Sequence, residues 1–132
     1  MGEVARVVDG DTLTLAEGPT VRLLLVDAPE STGGRRECYG PEAGAALRAL
    51  AEGQPVTLTY GEACADRYGR LLAYVAHEGR ELNALLVERG LARVLFIPPA
   101  GKTRRAEMEE RERVARAARR GLWGACPGRG EE

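Results

Sequence analysis

Residues 21–30 read VRLLLVDAPE, and this stretch decides both how the chain folds and where its chemistry sits. Val21 and the run Leu23–Val26 have the continuous apolar character of a strand buried on both faces. Yet the segment carries Arg22 at its start and Asp27 and Glu30 at its end. A charge set beside a core is costly unless it is paired or binds something. Either the arginine and the acids serve one another as ion pairs, or they converge on a third party. Arg22 and Asp27 are an odd number of positions apart, so on a regular strand they face opposite sides. Both reach one place only if the strand bends or stops before Asp27, and the nearby Pro29, which has no amide to donate, favours such an ending.

Working outward, EVARVV and LTLA read as strands joined by the turn DGDT, and EGPT is the next turn, leading into Val21. After DAPE, the polar STGGRREC is expected to be a moving loop. YGPEAGAALRALAEG reads as a helix, with Pro41 at its first turn, Glu42 complementing the helix dipole and Gly53 at the C-terminal cap. PVTLTY and LLAYVA are two more strands, joined by GEACADRYGR. ELNALLVERG is a short helix closed by Gly90, and LARVLFI is read as another strand ended by PPAG. Thr103 is expected to cap a last helix over about residues 104–120, whose outer face has Glu and Arg at three- and four-residue spacings. In the tail GLWGACPGRGEE, Trp123 is expected to pack back and the last residues to fray. This order predicts an α+β fold: a small closed barrel of five strands, antiparallel in pattern, with three packed helices. One domain is expected over 1–132, with an ordered core at about 4–123.

Charged residues make up 30% of the chain, but the formal net charge is only −1. No global positive field attracts nucleic acid, although a small local cationic site remains compatible with that balance. No apolar run reaches the length of a membrane span. The opening MGEVARVVDGDT lacks an apolar signal segment, so the chain is expected to be intracellular or a mature form without its leader. Cys38, Cys64 and Cys126 form no C-x-x-C pair, which argues against a zinc site. Their odd number allows at most one internal bridge, and free thiols are the favoured expectation over a disulfide. His77 is the sole histidine, so a triad-type nucleophilic scheme has little to work with.

Three short segments place charge where strands end: VVDGDT with Asp9 and Asp11, RLLLVDAPE with Arg22, Asp27 and Glu30, and DRYGR with Asp66, Arg67, Tyr68 and Arg70. Taken singly, Asp-Gly-Asp is an ordinary turn and DRYGR a solvated hairpin loop. Taken together they are a set for handling phosphate. Arginine offers bidentate donors to phosphate oxygens and stays charged at any working pH. Carboxylates alone would repel a phosphodiester, so Asp11 and Asp27 near one imply a cation between them. Two carboxylates, a carbonyl and waters suit a hard, oxygen-loving ion such as calcium, held weakly.

VVDGDTLTL, VRLLLVDAPE, YGPEA, DRYGRLLAYV, LNALLVERGLARV and GLWG follow one another in the order and spacing of the staphylococcal nuclease (thermonuclease-like) family, which the chain resembles from about Val4 to Trp123. The resemblance implies an oligonucleotide/oligosaccharide-binding-type (OB-fold) five-stranded barrel with three helices. It implies a calcium-dependent nuclease acting on single-stranded DNA and RNA, cleaving the 5′ P–O bond to leave 3′-phosphate and 5′-hydroxyl ends. By position, Asp11, Asp27 and the carbonyl of Ala28 match the metal ligands, and Asp9 an acid acting on the ion through water. Arg22 and Arg70 match the phosphate-binding arginines, Glu30 the proposed general base, and Arg67 and Tyr68 contacts to an adjacent phosphate. Ala28 stands where the family often has threonine. Two pocket tyrosines of the family fall on Phe96 and Pro98, so stacking on a base is expected to survive only at Phe96. The resemblance also implies a monomer, secreted or periplasmic. A catalytically silent barrel that binds nucleic acid or protein is the alternative.

Overall fold

The structure is a computed structural model that describes residues 2–30 and 37–126. Five strands close the barrel: β1 (Gly2–Asp9), β2 (Thr12–Leu15), β3 (Thr20–Leu23), β5 (Pro55–Thr59) and β6 (Leu71–His77). β1 pairs with β2, β2 with β3 and β5 with both β1 and β6, all antiparallel. The barrel shuts through one parallel ladder between β3 and β6, in which Arg22 stands opposite Leu72. That pairing departs from the antiparallel pattern expected. The fully buried Val4, Leu13, Val21, Leu23, Val56 and Val75 fill the interior, each such side chain stabilising the fold by ~1.5–3 kcal/mol.

Three helices pack on this barrel, as predicted: α1 (Gly40–Ala51), α2 (Leu82–Glu88) and α3 (Arg105–Ala117). α1 buries Ala43, Leu47 and Ala51, the stripe its apolar spacing prescribes. α3 buries only Met108 and Ala115, and its outer face is laced by pairs such as Arg105–Glu109 and Arg113–Glu110. A fourth, four-residue helix, α4 (Leu122–Ala125), brings Trp123 back against the fold. Gly90 lets it dock: Leu122 N–H donates to Gly90 O at 2.8 Å, and a Cβ on Gly90 would lie 2.1 Å from Arg120 O.

The buried run of VRLLLV is not one strand. β3 stops at Leu23, the chain turns through Leu24 and Leu25, and a two-residue strand β4 (Val26–Asp27) leaves in a new direction. Leu25 adopts φ 64°, a left-handed conformation costing a bulky residue ~1–3 kcal/mol. What holds it is burial, since Leu24 and Leu25 are each 3% exposed, together with a buried asparagine. Asn83 on α2 accepts from Val75 N–H (2.8 Å) and donates to Leu24 O (3.0 Å) and Ala73 O (3.1 Å). The bend that Arg22 and Asp27 require is thus fastened to β6 from inside.

Three expectations need correction. LARVLFI is mostly not a strand: only β8 (Arg93–Val94) pairs, with β4, because β4 is itself two residues long. Leu95 and Ile97 beyond it are exposed. Thr103 is not the cap of α3. It lies in a 3₁₀ turn, Lys102–Arg104, and its hydroxyl donates to Glu62. Cys38 and Cys126 are not free thiols but form a disulfide, while Cys64 is free and exposed. A separation of 88 residues hid this pairing, because proximity came only from α4 folding back beside the start of α1. A β7 (Arg80–Glu81) completes a hairpin with β6. The expected loop over Ser31–Arg36 and the frayed end after Cys126 lie outside the described residues.

Candidate active site

The bend delivers Arg22 between two acids. Its Nη2 lies 3.5 Å from Asp11 Oδ2 and 3.7 Å from Asp27 Oδ1. Its Nη1 donates to Leu23 O at 3.3 Å and to Val26 O, so the guanidinium also closes the turn that positions it. Of the alternatives raised by VRLLLVDAPE, the mutual ion pairing is therefore what the structure shows, on one side chain. Asp11 is buried, and each of its oxygens accepts one hydrogen bond: Thr12 Oγ1 donates to its Oδ1 at 2.8 Å and Ala28 N–H to its Oδ2 at 2.9 Å. Gly10 makes that approach possible. A Cβ there would meet the Cβ of Ala28 at 2.8 Å and that of Ala43 at 2.9 Å. The Gly in Asp-Gly-Asp is required by packing between this turn's backbone, Ala28 and α1, beyond any turn preference.

Asp27 is half exposed. Burial pushes its carboxyl above the usual aspartate range, against the pull of Arg22 and with the further push of Asp11. An acid so placed gains by binding a cation. The donors here are all oxygens: two carboxylates that share one guanidinium, and the Ala28 peptide held against Asp11. That set fits a hard divalent ion. Among the described residues no third His, Cys, Asp or Glu side chain joins them in a metal-holding group.

A cleft of about 630 Å³ runs from Arg22 past Asp66, Arg67, Tyr68 and Arg70 to Leu95, Ile97 and Pro98. Asp66 builds the arginine-bearing loop. Its Oδ1 accepts from the N–H groups of Tyr68 (2.9 Å) and Arg70 (3.0 Å), and its Oδ2 from Arg70 Nε at 2.7 Å. Although burial opposes it, bonding from the Arg70 amide and guanidinium holds the Asp66 carboxyl below its ordinary range. Tyr68 is 69% exposed, with the Arg67 and Arg70 guanidinium carbons 5.0 and 5.6 Å from its ring centre. Arg67 Nη2 donates to its hydroxyl at 2.8 Å. A flat aromatic face flanked by two cations can meet a phosphate and the group beside it.

The structure thus brings Asp11, Arg22, Asp27 and Ala28 together, and sets Arg22 along one cleft with Arg67, Tyr68 and Arg70. Glu30 stands three residues past Asp27, exposed, its N–H donating to Glu37 Oε1 and its carbonyl accepting from Glu37 N–H, both at 2.9 Å. Phe96 does not line the cleft. It lies under the Arg105 guanidinium at 4.3 Å, and the wall is made by its neighbours Leu95 and Ile97. The expected stacking position is therefore turned away, because residues 95–97 are not the regular extension of β8 that the reading assumed.

Two supporting residues escaped the sequence reading. Asn83 had a signal: it is a polar residue amid the apolar LNALLV of α2. Glu62 had none. Its carboxylate accepts from Gly101 N–H (3.1 Å), Thr103 N–H (2.9 Å) and the Thr103 hydroxyl, tying the loop before Arg67 to the start of α3.

A closed five-stranded barrel with an arginine–carboxylate cluster at a strand bend, opening onto an arginine-lined cleft, defines the class to which comparison with known proteins assigns the chain. Residues 20–125 match the family model described as staphylococcal nuclease homologue. An uncharacterized protein of Bacillus anthracis is 37% identical over 92% of this chain and 60% of its own length. A thermonuclease of Staphylococcus intermedius is 34% identical over 91% of this chain and 74% of its own. A micrococcal nuclease of Shigella flexneri is 37% identical over 92% and 72%. The chain belongs to the staphylococcal nuclease homologue family.

Proposed function

We propose that the protein is a calcium-dependent nuclease that hydrolyses phosphodiesters of single-stranded DNA and RNA, breaking the 5′ P–O bond to leave 3′-phosphate and 5′-hydroxyl ends. The observation that carries this reading is the single Arg22 guanidinium, within 4 Å of both Asp11 and Asp27 and lining the same cleft as Arg70. Membership of a family whose relatives here include a thermonuclease and a micrococcal nuclease supports it.

Asp11, Asp27 and the Ala28 carbonyl are the groups that would hold calcium. Bound there, the ion supplies Lewis-acid polarisation of a non-bridging phosphate oxygen. Arg22 and Arg70 donate to the equatorial oxygens and stabilise the charge that gathers on them, in general the largest catalytic contribution in such sites. Glu30 accepts the attacking water's proton or orients that water. Arg67 and Tyr68 hold the adjacent phosphate, while the apolar wall of Leu95 and Ile97 faces the nucleoside. A net charge of −1 makes local contacts, not a basic surface, the source of affinity, so binding should weaken only shallowly with salt. The Cys38–Cys126 disulfide supports secretion into an oxidising compartment, with the chain acting as a monomer.

The deciding experiment is digestion of single-stranded DNA and of RNA with calcium and then with a chelator, with the product ends identified. Calcium-dependent release of 3′-phosphate ends is expected. Cleavage that persists in chelator removes the metal, and binding without cleavage removes the enzyme.

A further inference from the structure

We propose that the Cys38–Cys126 disulfide is a positioning element of the acid-bearing segment Asp27–Glu30, so that a dithiol reductant converts the site to a form with a weaker hold on divalent cations. The proposal rests on the nuclease reading for its functional consequence, not for its structural content. A small cavity of about 30 Å³ is lined by Asp27, Ala28, Glu37, Cys38, Arg93 and Cys126, which places both sulfur-bearing residues beside two of the assigned metal-site residues.

Two routes join the C-terminal helix to those acids. Along the first, Cys126 is bonded to Cys38, the neighbour of Glu37, and Glu37 clasps Glu30 through two 2.9 Å hydrogen bonds. Along the second, Trp123 lies beside the Arg93 guanidinium at 5.4 Å, and Arg93 is the register partner of Asp27 in the β4–β8 pair. Arg116 approaches the same indole at 5.4 Å. The helix that ends both routes is four residues long, far too short to be stable alone. It is seated in a cluster separate from the barrel core, made of Ala115, Leu122, Trp123 and Cys126 with Tyr39 packed against it. A covalent bond from this minor cluster therefore adds a second anchor to a segment that the barrel side holds through the Ala28 N–H bond to Asp11, the Arg22–Asp27 pair and the two-residue β4–β8 pairing, all of them at residues 26–28 and none at Glu30.

Reduction is chemically open. Cys38 is exposed whereas Cys126 is 5% exposed, so the reductant attacks from the Cys38 side. One thiolate of the dithiol forms a mixed disulfide as the protein S–S bond breaks. Its second thiol then closes on the first, leaving two protein thiols and an oxidised, cyclic reductant. The protein gains two electrons and two protons, and the dithiol loses them. A chain made in a reducing compartment would carry the open, weaker site, and oxidation outside it would tighten the site where nucleic acid is to be degraded.

The test uses a Cys64→Ser protein, which removes the third thiol, in oxidised, dithiol-reduced and reoxidised forms, together with a Cys38→Ser/Cys126→Ser variant. Amide exchange at Ala28, Glu30 and Glu37 is compared with that at Val75 in the core. Reduction is expected to speed exchange at the first three about tenfold with Val75 unchanged. The calcium concentration for half-maximal hydrolysis should rise ~10-fold, the scale at which outer-shell support of a metal acts. Reoxidation should restore both, and the serine variant should match the reduced form with or without dithiol. Equal exchange in the two forms overturns the proposal, as does a rise at Val75 equal to that at the acids, which would make the bridge a general staple. Should the oxidised protein cleave nothing, the nuclease reading fails, and the exchange data still decide whether the bridge positions this segment.

Discussion

Two arginines that line one cleft, Arg22 and Arg70, are held in opposite ways. Arg22 is built into the fold: its side chain is 15% exposed, stands in the parallel ladder that closes the barrel, and donates to the carbonyls of its own bend. Arg70 hangs on it: 37% exposed, it is aimed by one carboxylate, Asp66, at the end of a loop. The first is fixed by backbone and packing, the second by a polar bracket. Function and stability are therefore entangled at Arg22 and separable at Arg70.

Substitution tests that contrast directly. Arg70→Ala should lower the hydrolysis rate on single-stranded DNA by about 10²–10³-fold, the scale of a lost transition-state donor. Its stability should change by less than ~1 kcal/mol, because the Arg70–Asp66 pair is more than a third exposed on the arginine side. Arg22→Ala should lose as much rate and also ~1–3 kcal/mol of stability, since the buried Asp11 is left without its cation and the bend loses its donor. Denaturant midpoints measured beside initial rates check both. Full activity in Arg70→Ala would falsify its assigned role, and equal stability losses would dissolve the contrast.

The bend offers the next largest effect. Asn83→Ala strands Val75 N–H and two buried carbonyls, Leu24 O and Ala73 O, so a loss of ~3 kcal/mol is expected. Because the same bonds hold Leu25 in its left-handed conformation, activity in whatever remains folded should fall too. Gly10→Ala is gentler, about 1–3 kcal/mol from overpacking. The added methyl must displace Ala28 or Ala43, so half-saturating calcium should rise before the barrel melts. An unchanged calcium response in folded Gly10→Ala would mean that Ala28 can move without cost to the acids.

This gradient also explains what could be read from the sequence. The barrel strands, the first two helices and the three charged segments were legible because each is local: an alternation, a helical stripe, a turn dipeptide. The bend was foreseeable as a need, from the parity of Arg22 and Asp27, but not as a place. Its location depends on Asn83 reaching across from α2, and no local pattern encodes a hydrogen bond 59 residues distant. LARVLFI misled for the same reason: its apolar, β-prone run promises a strand, but β4 offers only two residues to pair with, and Phe96 then turns under Arg105. The disulfide needed α4 in position before either cysteine could signal its partner.

The smallest effect separates the two arginine supports by pH. Glu62, which anchors the loop before Arg67 to the start of α3, has its carboxyl lowered to about 2, first by the Thr103 hydroxyl and then by backbone amides including those of Thr103 and Gly101. A folded value below the ordinary 4.5 means that the anchor's contribution is complete above 4.5 and drains away as pH falls toward 2. The side-chain carboxyl resonance of Glu62 should therefore titrate at about 2. Glu62→Gln should loosen the Thr103 and Gly101 amides at neutral pH while leaving those of Val75 and Ala28 untouched. Part of Arg22's bracket, the carbonyls of Leu23 and Val26, does not titrate, whereas its partner Asp27, whose carboxyl burial pushes above the ordinary range, loses its charge early as pH falls. If Glu62 titrates as a free glutamate, the cleft's second arginine rests on Asp66 alone, and the loop carrying it is freer than the distances between Glu62 and the turn before α3 imply.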